Sequence, residues 1–397
     1  MTTRTRTRAL AAGDTALADF TDRLFGHLPR ADQRRWARVY LQGLLTTPGK
    51  KSVRRLAASV TESPTASQSL QQFINASPWD WNPARTELLR WVEERHPVRA
   101  WAIGQVCFPK RGEHSVGVHR RFDPAAGRIV NCQLGFCLFL SLDGMNVPVD
   151  WRLALPEAWV TDPVLRRRAR ISPEVVHQAP EALVLELVDW IVARTSSAHP
   201  PVVADLSRLG AAAALIGVLS RRGHDFLVSV PPALTVRAAV PAQGSDRAHT
   251  PGRGGTTAGD IAWLGNTSHP YSTPLAGPDV RPQRQRIHSA LVRLPEGESA
   301  GRGAQQIYRL FGERRPDRRV GGPVWLTNMN RHRMDDLLHL VRRSARSGAV
   351  LGSLADEFGL LDFEGRSFPG WHHHMTLMSA AYAYAVRCGE AGVGRSA

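Results

Sequence analysis

The 397-residue sequence predicts an α/β protein, a mixed β-sheet with helices packed on it, preceded by an all-helical N-terminal region. Three observations carry this. Residues 10 to 96 place apolar side chains three or four apart, the helical period. From Arg99 the texture changes to short apolar runs rich in β-branched and aromatic residues. Those runs then alternate with helical segments in the order β-β-β-α-β-α-β, the pattern of a sheet covered by helices. A chain of this length that is 43% hydrophobic buries a full core without disulfide or metal staples, and wholesale disorder, collagen-like repeats and coiled-coil rods are excluded.

Taken in order, the N-terminal helices are expected at Thr15–His27, Arg30–Leu45, Lys51–Val60, Ser67–Asn75 and Pro83–Arg95, punctuated by Pro29, Pro48–Gly49, Ser63–Pro64 and Ser77–Pro78. Strands follow at Trp101–Phe108, Ile129–Leu142 and Met145–Leu155. A helix at Pro180–Arg194 precedes the short apolar strand Pro201–Asp205, then a helix at Ala211–Arg221 and a strand at Asp225–Val230. Residues 231–286 are rich in Pro, Gly, Ser and Arg without periodicity and read as a loop or inserted arm. Strand pattern returns at Ser289–Leu294, Gln305–Phe311 and Pro323–Thr327. The chain closes with helices at Met334–Ser344, Val350–Phe358 and His372–Val386. The expected domains are a helical N-terminal domain (1–97), the first part of the α/β core (98–232), an inserted arm (233–322) and the C-terminal helices of the core (323–390).

Charge narrows the function. There are 51 Lys and Arg against 35 Asp and Glu, a formal net charge of +16, and three of the 51 are lysines. The choice of Arg over Lys is what codon bias in a GC-rich gene gives, but such bias does not remove acids, so the excess points to a polyanionic partner. The excess is also local. Residues 1–100 hold 16 basic and 9 acidic side chains, and residues 281–346 hold 15 and 6. Two basic regions flank a neutral remainder. Within them, Lys50, Lys51, Arg54 and Arg55 stand at the entry of Ser52–Val60 and Ser67–Ile74, a pair with helix-turn-helix proportions; the alternative is a solvated helix face. Arg284, Arg286, Arg314, Arg315, Arg318 and Arg319 are the matching candidates for tracking phosphates.

Cys107, Cys132, Cys137 and Cys388 have no zinc-knuckle or redox spacing and read as structural thiols in a reducing compartment. Met1–Arg8 lacks the apolar segment of a secretory signal, and no apolar run is long enough to span a bilayer, so a cytoplasmic, nucleoid-associated protein without membrane contact is expected. His372, His373 and His374 are consecutive. Neighbours on a helix point about 100° apart and cannot share one ion, so packing and hydrogen bonding at a helix start is expected of them. Asp205 ends an apolar strand before a loop, where α/β sheets present ligand-binding groups; a loop carboxylate that caps local backbone is the other reading.

At this point the residues resemble a family. Leu70-Gln-Gln-Phe-Ile74 with Ser77-Pro-Trp-Asp80, Phe108-Pro-Lys-Arg-Gly112 with His114-Ser-Val-Gly-Val118, Asn131-Cys-Gln133, Val149-Asp-Trp-Arg-Leu153, Val203-Ala-Asp205 and Phe363-Glu-Gly-Arg-Ser367 with Trp371–His374 occur in the order found in DDE-type insertion-sequence transposases. The resemblance spans residues 17 to 386. It implies an RNase H-like core with a β-rich insertion, double-stranded DNA as partner and a homodimer for synapsis. It also implies three carboxylates holding two Mg²⁺ or Mn²⁺ ions about 4 Å apart for in-line phosphoryl transfer.

The chain departs from that pattern at the acids. Asp205 matches the second. Gly104 and Gln105 stand where the family has its first acid pair, and Gly348 stands at the third. One carboxylate is a poor ligand set for two hard dications, which take oxygen donors and need their charge balanced. Three readings follow. The chain is a transposase-derived DNA-binding protein with impaired or lost catalysis; or an active enzyme in which Glu357 or Glu364 from the C-terminal helices, with Asp150 or Glu113 near the first strand, replaces the missing acids; or an interaction protein or decayed copy without functional DNA contact.

Overall fold

Two units make up the chain: residues 1–99, 104–198 and 346–397 in the first, 100–103 and 199–345 in the second. The computed structural model describes residues 15–123, 127–239, 256–264, 268–269, 286–295, 306–314 and 322–393.

The first unit opens with five helices: α1 (15–25), α2 (Ala31–Thr46), α3 (Val53–Val60), α4 (Ala66–Asn75) and α5 (Asn82–Glu93). Each starts or stops within a few residues of its expected boundary. Pro83 sits in the first turn of α5, where its missing N–H costs nothing. Arg23 on α1 reaches Glu87 (2.6 Å) and Glu94 (2.5 Å) on α5, and this pairing holds the Glu94 carboxyl down at about 2.

Strand β1 (Ala100–Pro109) runs through the unit boundary. Its later residues lie beside β3 (Arg128–Ser141); Arg99 N donates to Ser141 O and Lys110 N to Asn131 O at the two ends, so the pair is antiparallel. Along β3, first β2 (His119–Asp123) and then β4 (Asn146–Ala154) pair antiparallel. β3 and β4 are buried almost throughout, as the apolar runs require. Short helices α6 (Glu157–Thr161) and α7 (Pro163–Ala169) then lead to α8 (Pro180–Val192).

In the second unit the first residues of β1 pair parallel with β5 (Val202–Asp205), and β5 pairs parallel with β6 (Phe226–Val230) around α9 (Ala212–Arg221). β6 continues antiparallel through β12 (Val324–Thr327), β11 (Tyr308–Arg314) and β10 (Arg286–Arg293), which also pairs with β7 (Thr235–Ala238) and β9 (Ser268–His269); β7 pairs with β8 (Thr256–Thr257). Leu227, Ile287, Phe311, Met329, Met334 and Leu337 form its core, with α10 (Ala258–Leu264) on the same strands. Mixed strand pairing with helices on the strands gives the α/β class expected from the sequence.

Four differences from the sequence reading have physical causes. β2 reads His-Arg-Arg-Phe-Asp, too polar to register as a strand, and is ordered by its pairing with β3. α7 is a helix because Asp162 accepts from Val164 N (2.7 Å) and Leu165 N (3.2 Å), with Pro163 in its first turn. The two helices expected at 334–344 and 350–358 are one, α11 (Met334–Glu357): Gly348 interrupts the apolar pattern without breaking the backbone ladder. Residues 231–286, read from composition as loop, include β7, β8, α10 and β9, elements too short to leave a periodic signal.

The last helix, α12 (Phe368–Val393), is buried on all sides from Trp371 to Tyr384. The first unit is assembled on it. Arg85 of α5, fully buried, binds Asp150 of β4 (2.5 Å), Trp151 O (3.1 Å), Thr376 Oγ1 (2.8 Å) and His372 O (3.1 Å). Asp150 also takes Arg152 (2.6 Å) and Trp151 N (2.8 Å). Burial draws the Arg85 guanidinium down to about 10 against the pull of Asp150.

The three histidines complete the joint as packing groups. His372 stacks on Trp81 at 4.5 Å, and its Nδ1 lies 3.2 Å from Arg85. His374 Nε2 donates to Gly359 O (2.9 Å) and its Nδ1 accepts from Tyr40 Oη (2.8 Å). His373 stacks on Trp79 at 3.8 Å with its two nitrogens 2.8 Å from Ile74 O and Trp79 O. Two carbonyls favour the charged ring, but burial wins, and both His373 and His374 are lowered to about 4. Burial, and with it the nearby Arg85, lowers His372 well below the usual histidine range.

Two outcomes follow. Asp150→Ala leaves Arg85 buried without its counter-charge and is expected to cost about 3–5 kcal/mol in chemical denaturation; an effect within about 0.5 kcal/mol would contradict the joint. The histidines also set a pH dependence. Their folded affinities lie below the unfolded value, so as pH falls from about 6.5 towards 4 the unfolded chain takes up protons that the folded one refuses, and stability falls, by up to about 3 kcal/mol for His374. Thermal midpoints should drop between pH 7 and 5, less steeply in His374→Gln; an unchanged pH slope in that variant would refute the assignment.

Candidate functional site

Asp205 is the exposed last residue of β5, whose preceding three residues are buried. One carboxylate oxygen accepts Ser207 N at 2.9 Å, closing a local turn. It therefore occupies the carboxyl end of a parallel strand as expected and also does the local capping of the alternative reading.

β1 pairs Ile103 with Ala204, and the next residue along β1 is Gly104. In the first unit, a Cβ placed on Gly104 would lie 3.2 Å from Phe139 Cε2, 3.5 Å from Leu351 Cδ1 and 3.9 Å from Ser347 Cβ. Strand β1 thus approaches α11 at Ser347 and Leu351, the turn that also carries Gly348. Gly104 faces apolar walls, Ser347 is engaged by Asn146 Nδ2 (2.9 Å), and Gly348 is exposed with no heavy atom within 4 Å of an added Cβ.

The proposed replacement acids are placed elsewhere in the bonding pattern. Glu364 is exposed and ion-paired with Lys50 at 2.5 Å; Glu357 is exposed at the end of α11. Asp150 is consumed by Arg85 and Arg152, and Glu113 is exposed in the turn after β1. Among the described residues no three His, Cys, Asp or Glu converge in a way that would hold a metal ion. The two dications implied by the resemblance do not fit the donors present: glycine offers no ligand atom at 104 or 348, Gln105 is neutral, and Asp205 alone cannot balance the charge.

The helix pair is better furnished. α3 presents Arg54 and Arg55 to solvent, with Arg55 also donating to Pro48 O at 2.7 Å. α4 buries Leu70, Phe73 and Ile74 and exposes Gln68, Gln71 and Gln72, three amides on one face at i, i+3 and i+4. The sequence reading passed over these glutamines; their spacing opposite the apolar stripe was the available signal. Lys51 is 5% exposed and gives its ammonium to Thr47 O, while its N–H goes to Asp362 (2.7 Å), so it serves the fold at this point. Arg286 and Arg314 face each other in the β10–β11 register. Arg284, Arg315, Arg318 and Arg319 lie outside the described residues. Cys132 and Cys137 are buried free thiols, as expected.

The chain matches the DDE superfamily endonuclease family over residues 23–290, more than half its length, and it belongs to that family. No curated protein matches it. No helix among the described residues is long and apolar enough to cross a membrane.

The two glycines predict opposite responses. Gly348→Glu enters open space on an exposed helix face and should be neutral or stabilising by up to about 1 kcal/mol. Gly104→Asp forces a carboxylate against Phe139 and Leu351 and should destabilise by about 2 kcal/mol or more. Equal tolerance of both in denaturant titrations would show that the space at Gly104 is not what excludes an acid.

Proposed function

We propose that this member of the DDE superfamily is a DNA-binding protein whose strand-transfer chemistry is lost. The observation that carries the reading is the helix pair α3–α4: exposed Arg54 and Arg55 beside a face of three glutamines, in a chain of net charge +16. Arginines at the entry of such a pair engage phosphates, and glutamine amides on the second helix are suited to base edges, adenine above all. Support for the loss of catalysis comes from the two glycines at acid positions, the apolar wall around Gly104 and the ion pair that holds Glu364. The protein acts as a homodimer on double-stranded DNA in the cytoplasm, occluding transposon ends or regulating a gene beside them.

An active enzyme with relocated acids, dependent on Mg²⁺ or Mn²⁺ through Asp205 with Glu357 or Glu364, is the competing reading, and one experiment separates them. Supercoiled plasmid carrying the gene's own flanking DNA is incubated with wild type and Asp205→Asn in Mn²⁺, alongside shift assays on the same DNA. The expected result is binding without cleavage in both proteins. Cleavage that disappears in Asp205→Asn would establish the active enzyme.

Binding should weaken with salt at a log–log slope near −5, as about six neutralised phosphates give, and Arg54→Gln with Arg55→Gln should reduce that slope by about two. A slope near zero would refute DNA binding and leave an interaction protein or a decayed copy.

A further inference from the structure

Phe122 and Ile129 are the anomaly of the first unit. Among the described residues six large apolar side chains are exposed, and two of them, Phe122 at 57% and Ile129 at 59%, stand directly opposite each other on β2 and β3. Cross-strand partners in an antiparallel pair project from the same face, so the two form one apolar prong. Single exposed hydrophobics need no explanation; a directly paired set at the edge of a sheet does.

The surroundings say what the prong meets. Arg120 and Arg121 precede Phe122, and Arg128 precedes Ile129, against the single acid Asp123 in the paired segment. Arg120 and Arg128 are exposed; Arg120 shares the face of Phe122, while Arg121 and Arg128 stand on the other face of the ribbon. β2 lies at an edge of the sheet, where consecutive arginines oppose strand pairing with a second chain. Apolar side chains flanked by arginines suit a ligand that is polyanionic outside and apolar within. Stacked base pairs between phosphates are that combination, and proteins that bend DNA insert Phe or Ile between base steps in this way.

We propose that the β2–β3 hairpin is a wedge: Phe122 and Ile129 insert between stacked base pairs of duplex DNA while Arg120, Arg121 and Arg128 hold the flanking phosphates, so that the bound duplex is kinked. This rests on the DNA-binding reading above and adds a second contact, made by the sheet and not by the helix pair. It assigns the protein a DNA-deforming role that the missing carboxylates do not touch.

The test uses the full-length protein and duplexes from the gene's flanking DNA, with 2-aminopurine at successive adenines and a donor and acceptor dye at the two ends. Wild type should raise the 2-aminopurine emission at one step, as unstacking does, and bring the ends closer. Phe122→Ala with Ile129→Ala, both at exposed positions, should abolish both signals and weaken binding tenfold or more with an unchanged salt slope. Arg120→Gln with Arg121→Gln should instead lower the slope by about two. Wild type that binds without unstacking or shortening overturns the wedge and leaves the DNA-binding reading intact. So does an apolar double variant that bends DNA like wild type, or one whose only change is a shift in oligomeric state on sedimentation, which would mark the prong as a self-association surface. Wild type that does not bind DNA at all overturns both.

Discussion

The first unit depends on one buried ion pair. Arg85 and Asp150 are both removed from water, and the guanidinium spends its remaining donors on Thr376 and on the carbonyls of Trp151 and His372. A buried charge is tolerated only when it is paired and its hydrogen-bonding capacity is used. Meeting that demand requires α5, β4 and α12 to be in place together, so segments nearly three hundred residues apart in the chain are fixed by a single side chain. The neutral histidines extend the joint to α2 and α4 through Tyr40 and the carbonyl of Ile74. An apolar helix such as α12 could slide among apolar neighbours; polar partners at fixed positions specify where it stops.

The joint stands apart from the positions matched to the family's acids. The joint uses Asp150, Arg85 and the histidines, and none of it calls on Asp205, position 104 or position 348. The groups that hold the joint together are therefore distinct from the positions matched to the acids. At Gly104 the freed space is taken by Phe139 and Leu351, contacts that an acid would have to displace. At Gly348 the helix simply continues through an exposed residue. The two positions have departed from the family's pattern in different ways, one now filled by packing and one left open.

The surface proposed for nucleic acid is built apart from those positions. Arg54 and Arg55 on α3, the glutamine face of α4 and the Phe122–Ile129 prong with its arginines are independent of the acid positions and lie on elements held by the core. Electrostatic attraction supplies affinity without sequence information, while amides and an apolar wedge supply discrimination by base edge and by ease of kinking.

Much of this was legible in the sequence. Helical periodicity located α1 to α5, apolar runs located β1, β3, β4, β5 and β6, and ordered motifs located the family and the two glycines at acid positions. Local patterns suffice there because each element's own residues carry its period and caps. The tertiary structure alone decided the rest. Lys51 looks like its neighbours in sequence, yet burial turns it into a structural group. The Glu364 carboxylate is bound by Lys50, 314 residues away in sequence. Phe122 and Ile129, seven positions apart in the chain, look ordinary there, and only the β2–β3 register, which pairs them on one exposed face, makes them a feature. Charge, period and motif are properties of a segment and can be read from it. Burial, pairing and the filling of space are relations between segments, and no segment carries them alone.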